Sequence, residues 1–160
     1  MMNQTQKKSH LIRNIAIAAI VIILFFIVVN YTFLSSKPTI LYFTGGMYIP
    51  PSKFGDLGIT VPYGAKDISL MIDFVVLEST SFVNWQTGGL IYCYIMNSGN
   101  FTNWENGQQA SVFYNSGQVT TAKAKISLPR PGMYYVVFDN TFSASHFKFV
   151  SYTITLIYYT

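Results

Sequence analysis

The 160-residue chain is 51% hydrophobic and only 10% charged, well under the charged fraction of an ordinary soluble domain. Its net charge of +4 does not mark a nucleic-acid binder. Lys7, Lys8 and Arg13 precede a long apolar run, and everything after Ser35 carries seven basic and six acidic side chains, so the basic stripe that nucleic acid requires is missing. With so few charges, hydration of the surface falls to Asn, Ser, Thr, Gln and Tyr.

Residues 15–29 read IAIAAIVIILFFIVV, and tolerating Asn30 and Thr32 extends the run to Leu34. About 20 residues at about 1.5 Å each span a bilayer core. The basic cluster before the run places residues 1–13 in the cytoplasm and the rest outside. The expected organisation is therefore a cytoplasmic N-terminus (1–13), a transmembrane helix (14–34) that makes the bilayer a partner, a linker (35–38) and an extracellular domain (39–160) on a single-pass cell-membrane protein. A cleaved signal would need a small-residue site, which the sequence Tyr31-Thr32-Phe33-Leu34-Ser35-Ser36 does not supply. A pilin-like leader processed after Ser9 would leave Arg13 within a filament core, at a cost.

From Thr39 onward, β-branched and aromatic residues run in short stretches between Gly, Pro, Asn and Asp. Ile68, Leu70, Ile72, Phe74 and Val76 fall on alternate positions, as do Ala122, Ala124, Ile126 and Leu128 between Lys123, Lys125 and Ser127, and Val150, Tyr152, Ile154, Leu156 and Tyr158 between Ser151, Thr153 and Thr155. Period two marks strands with one face in a core. The stretches LIYCYIM (90–96) and MYYVVF (133–138) are apolar on both faces and are expected to be central. Turn chemistry appears at Pro62-Tyr63-Gly64, Gly88-Gly89, Asn97-Ser98-Gly99-Asn100 and Asn106-Gly107, with Asn115-Ser116-Gly117 the favoured hairpin. The predicted fold class is all-β, an antiparallel two-sheet sandwich of the jelly-roll or GOLD-like kind, preceded by one transmembrane α-helix. Cys93 is the single cysteine; no intrachain disulfide is possible, and its apolar neighbours make it a buried small hydrophobe.

The stretch 128–160, with Gly132, Tyr134, Tyr135, Phe138 and Asn140 followed by Phe149 to Tyr158, resembles the C-terminal half of the GOLD (Golgi dynamics) β-sandwich family and its prokaryotic surface relatives. Ile91 to Met96 and NFTNWENG (100–107) are also similar to those prokaryotic proteins. The resemblance covers about half of the outer domain. It implies a compact adhesion or interaction module without catalytic residues. The N-terminal anchor, with no coiled coil or sorting tail after the domain, departs from the cargo-receptor members, so cargo selection is not implied. Bacterial pre-peptidase C-terminal domains look similar as well.

The chemical inventory is small. His146 stands alone in a polar loop and fits no metal pattern. Asp56, Asp67, Asp73, Glu78, Glu105 and Asp139 are scattered, with no calcium loop and no local pair; Asp139-Asn140 suits an Asx turn at a strand end. No catalytic residue, metal site or cofactor is assigned. Trp85 and Trp104 lie in the related stretches FVNWQ and FTNWE, and with Phe101 they form the candidate contact surface for a protein or glycan. Of the sequons at Asn3, Asn30 and Asn100, the last falls in an expected exposed turn and is the candidate glycosylation site. The functional expectation is a non-enzymatic, membrane-anchored cell-surface interaction module or accessory subunit with a protein partner or a second copy. The alternatives are a filament subunit assembling by strand complementation and a surface glycan-binding or hydrolytic domain.

Overall fold

The computed structural model describes residues 20–25, 37–81 and 84–160. Contacts divide the chain into two units, Met1–Lys37 and Pro38–Thr160. In the first, residues 20–25 are helical (α1), and their side chains, Ile20 to Phe25, are exposed and apolar. The remainder of the anchor expected over 14–34 lies outside the described residues. Among the described residues no helix is long and apolar enough to cross a membrane.

The second unit is a sandwich of two antiparallel sheets, with nine strands and one helix among the described residues. The strands are β1 (Thr39–Ile49), β2 (Phe54–Val61), β3 (Lys66–Ser79), β4 (Gln86–Thr87), β5 (Ile91–Asn97), β6 (Tyr114–Val119), β7 (Thr121–Ser127), β8 (Gly132–Asp139) and β9 (Phe147–Tyr159); α2 (Ser98–Glu105) follows β5. One sheet runs β1-β9-β3-β4, with β7 also on β3, and the other runs β2-β8-β5-β6. The two stretches that are apolar on both faces, β5 and β8, hold the centre of the four-stranded sheet, as their composition requires.

The alternation of the sequence is the alternation of the fold. Ile68, Leu70, Ile72, Phe74 and Val76 of β3 are buried, as are Val150, Ile154, Leu156 and Tyr158 of β9, and they meet Val136 and Phe138 of β8 and Ile91, Cys93 and Ile95 of β5. Phe74 and Phe138 join the sheets edge to face, with ring centres 5.2 Å apart. Each such side chain taken fully out of water contributes about 1.5–3 kcal/mol before chain entropy is set against it.

Two turn expectations are corrected. Asn97-Ser98-Gly99-Asn100 is no turn between strands: the Asn97 side chain accepts the Asn100 N–H at 2.9 Å and caps α2, because the short polar side chains that favour turns also satisfy the free N–H groups of a first helical turn. Asn115-Ser116-Gly117 is no hairpin either. It lies inside β6, where the register with β5 shifts between Tyr92 and Tyr94. Gly117 takes φ +66, Asn115 Oδ1 accepts the Gly117 N–H, and Ser116 Oγ accepts the Cys93 N–H at 2.7 Å. A positive φ serves a bulge as well as a tight turn.

At the far end of β8, Asp139 Oδ1 accepts the Thr141 N–H, the Asx turn that its position suggested. Asn140 is fully buried; its Nδ2 donates to Pro50 O at 3.0 Å and His146 O at 2.9 Å. One amide thus ties the β1–β2 connection to the loop before β9.

Candidate contact surfaces on the two outer faces

Trp85 and Trp104 do not share a surface. On β3 the even-numbered side chains enter the core, so Leu77 points outward, and with Trp85 and Phe149 it lines an open apolar cleft of about 300 Å3 on the outer face of the five-stranded sheet. Trp85 meets Phe149 at 6.2 Å between ring centres and Tyr48 at 6.1 Å, edge to face, and Tyr48 stacks on Phe147 at 5.6 Å. The strand register explains the grouping, since Tyr48 pairs with Phe149 and Phe149 with Leu77. Gly46 leaves room for the Phe149 ring, which a Cβ there would strike. Trp85 itself is held from the β4 side by only two rungs, Leu77 with Thr87 and Glu78 with Gln86.

Trp104 belongs to the other sheet. With one cap at its N-terminus, α2 turns Phe101 onto Met96 and Val137, the outward side chains of β5 and β8. Phe101 stacks on Tyr135 with ring centres 4.1 Å apart and is 9% exposed. It is therefore a core residue and offers a partner almost nothing. Trp104 is half-buried, edge-on to Phe54 at 4.9 Å and tilted against Tyr94 at 6.0 Å. The helix covers an apolar strip of sheet that would otherwise face water.

Asn100 lies in the first turn of α2 and is partly buried. Its Oδ1 accepts the Ser111 N–H at 3.1 Å, and Thr102 Oγ1 donates to Ser98 O. The sequon is helical and hydrogen-bonded, which differs from the exposed turn expected.

Beyond α2 the four-stranded sheet presents Tyr92 and Tyr94, their rings 8° from parallel, and Phe142 edge-on to Tyr92. Burial, then the Asp139 carboxylate and then Tyr92 push the Tyr94 hydroxyl up from its usual pKa.

Several other ionisable groups are accounted for by structure. Asp73 pairs with Lys123 at 3.2 Å on the surface, where such pairs contribute little. Glu78 holds the ammonium of Lys148, whose side chain is 3% exposed. His146 is a loop residue whose Nδ1 lies 3.2 Å from Ser145 Oγ. Cys93 is fully buried, and desolvation raises its thiol far above the ordinary range. Among the described residues no three His, Cys, Asp or Glu side chains converge as metal ligands.

No protein-family model matches the chain, and no curated protein matches it. Among solved structures the sandwich is similar to a protein of the Bacillus endospore appendages, described as disulfide-linked pili, at 11% identity over 78% of this chain and 90% of that one, with TM-score 0.44. It is similar to a periplasmic inhibitor of g-type lysozyme from Aeromonas hydrophila at 8% identity, over 76% and 88% of the two chains, with TM-score 0.39. A third likeness is to a CBM36-1 domain of a multidomain xylanase from the hindgut metagenome of Trinervitermes trinervoides, at 9% identity over 74% and 96%, with TM-score 0.37.

Proposed function

We propose that this chain is a non-enzymatic binding module, a GOLD-like β-sandwich anchored at the cell membrane by residues 14–34, and that it engages a protein partner through the Trp85 cleft. The observation that carries the reading is the lining of that open cleft by Leu77, Trp85 and Phe149, all apolar and each half-buried, so that part of every side chain is left to solvent. Aromatic side chains in a shallow depression are the usual anchors of protein interfaces, where they contribute area at small cost in side-chain entropy. The lining also favours a protein side chain over a sugar, because sugar recognition pairs a stacking ring with hydrogen-bonding groups set around it. The role of the site is recognition without turnover: it presents no nucleophile, acid or base.

Substituting Trp85→Ala in the full-length chain, expressed in its own membrane, tests this. Association with the partner should be lost while the domain stays folded, its thermal midpoint falling only by the few degrees expected of a half-buried ring that packs on Tyr48 and Phe149. Retained association together with a large fall in midpoint would make Trp85 structural and remove the proposal.

A second reading, a subunit of a filament assembled by strand complementation, draws on β1. It is an eleven-residue edge strand, TILYFTGGMYI, paired with β9 in unbroken register, and among the described residues no strand takes its other edge. It contains none of the charges, prolines or bulges that usually protect an edge. Thr44→Pro should abolish assembly on this reading, with an unchanged circular dichroism spectrum showing that the domain still folds.

A further inference from the structure

At the opposite end of the same outer face from Trp85 lies a second cleft, of about 710 Å3, into which Lys66, Lys125 and Arg130 converge. They come from three separate places, the start of β3, β7 and the β7–β8 connection. Lys123 and Lys148 have carboxylate partners, whereas among the described residues none of these three cations lies within ion-pair distance of one. The cleft contains one carboxylate, Asp67, so three cations against one anion leave a surplus of two positive charges in a domain whose charges otherwise nearly cancel. Ser69 and Ser127, paired across β3 and β7, add hydroxyls to the same wall.

We propose that this cleft binds a phosphate group. A guanidinium fork, two mobile ammonium groups and adjacent hydroxyls offer more donors than the two oxygens of a carboxylate can use, and a surplus of two charges matches a phosphate monoester. The apolar side of the cleft, with Leu128, Pro129 and Ile157, accommodates the carbon portion of a phosphoester. Two sources present this chemistry, an anionic phospholipid headgroup and free phosphate. The position of the cleft favours the lipid: Thr39, the first residue of β1, pairs with Tyr158, and the next residue, Tyr159, lines the cleft, so the chain enters the sandwich at this end. That preference rests on reading residues 14–34 as a membrane anchor; the phosphate chemistry does not.

The test uses the full-length chain in neutral detergent micelles, titrated calorimetrically with dihexanoyl phosphatidate, dihexanoyl phosphatidylcholine and inorganic phosphate. Phosphatidate should bind more tightly than phosphatidylcholine, and the double substitution Lys125→Gln/Arg130→Gln should weaken it about tenfold or more, the scale of one lost charge-assisted hydrogen bond. All three cations are exposed, so these changes leave the core untouched. Lys53→Gln, an exposed cation in the β1–β2 connection at the other end of the domain, should have no effect. If phosphatidate alone binds, the source is lipid; if inorganic phosphate binds with the same dependence on Lys125 and Arg130, it is the free anion. Absence of binding by both, or an equal loss from Lys53→Gln, overturns the proposal. Inorganic phosphate needs neither a bilayer nor a partner at Trp85, so this arm stays decisive even if the anchored-module reading fails, and a null result here leaves the Trp85 cleft untouched.

Discussion

Trp104 stands edge-on to Phe54, ring centres 4.9 Å apart and planes at 80°, closing the small core that α2 makes with β5 and β8. That contact gives Trp104 a structural task on the face of the sandwich that Trp85 does not occupy. Truncating the mostly buried Phe101 to Ala should cost about 3 kcal/mol, and the half-buried Trp104 about 2 kcal/mol. In a domain of this size each kcal/mol lowers the thermal midpoint by several degrees. Thermal unfolding of both variants checks this, and midpoints close to that of the unsubstituted chain would return Trp104 to the list of contact residues.

Lys148 depends on Glu78. With its side chain 3% exposed and that of Glu78 33% exposed, Glu78→Ala leaves a buried ammonium without its anion. The expected cost is about 2 kcal/mol, less than the roughly 3–5 kcal/mol of a fully buried pair, because water reaches the carboxylate side. Lys148→Met, which keeps the length and removes the charge, should restore most of it in the double variant. Denaturant titration of the single and double variants checks both statements; an additive loss in the double variant contradicts them.

The thiol of Cys93 should be inert in the folded domain, because burial raises its pKa and excludes reagents. Maleimide should label it only after denaturation. The same shift has a consequence for stability. The unfolded chain releases this proton near pH 8.5 while the folded chain retains it, so the folded state binds more protons and stability falls as pH rises above about 8.5. Cys93→Ala should flatten that part of the pH profile. Fast labelling of the native protein, or an unchanged profile, would refute the assignment.

Much of the sandwich was legible because burial on one face of a strand writes itself as period two, which β7 and β9 carry along their length and β3 carries from Leu70 to Val76. What was not legible lay where one residue type serves two geometries. Asn97 caps a helix with the side chain that would equally have closed a turn, and at eight residues α2 is too short to show a stripe. Gly117 takes its positive φ in a bulge, where the same three residues read as a hairpin. The placement of Trp85 and Trp104 on different faces depends on which sheet each neighbouring strand joins, and local sequence does not encode that. The basic cleft was hidden for the same reason: Lys66, Lys125 and Arg130 meet only through the pairing of β3 with β7, in a domain whose nearly cancelling charges suggested no such site.

The cleft at Trp85 is tested most directly by placing a photo-crosslinking benzoylphenylalanine at residue 85, and separately at residue 104, in the full-length chain in its native membrane. On irradiation, residue 85 should give a discrete adduct with one protein partner, since its ring faces the open cleft beside Leu77 and Phe149, while residue 104, packed against Phe54 and Tyr94, should give only products within the chain. An adduct from residue 104 with none from residue 85, or no adduct from either, would contradict the account.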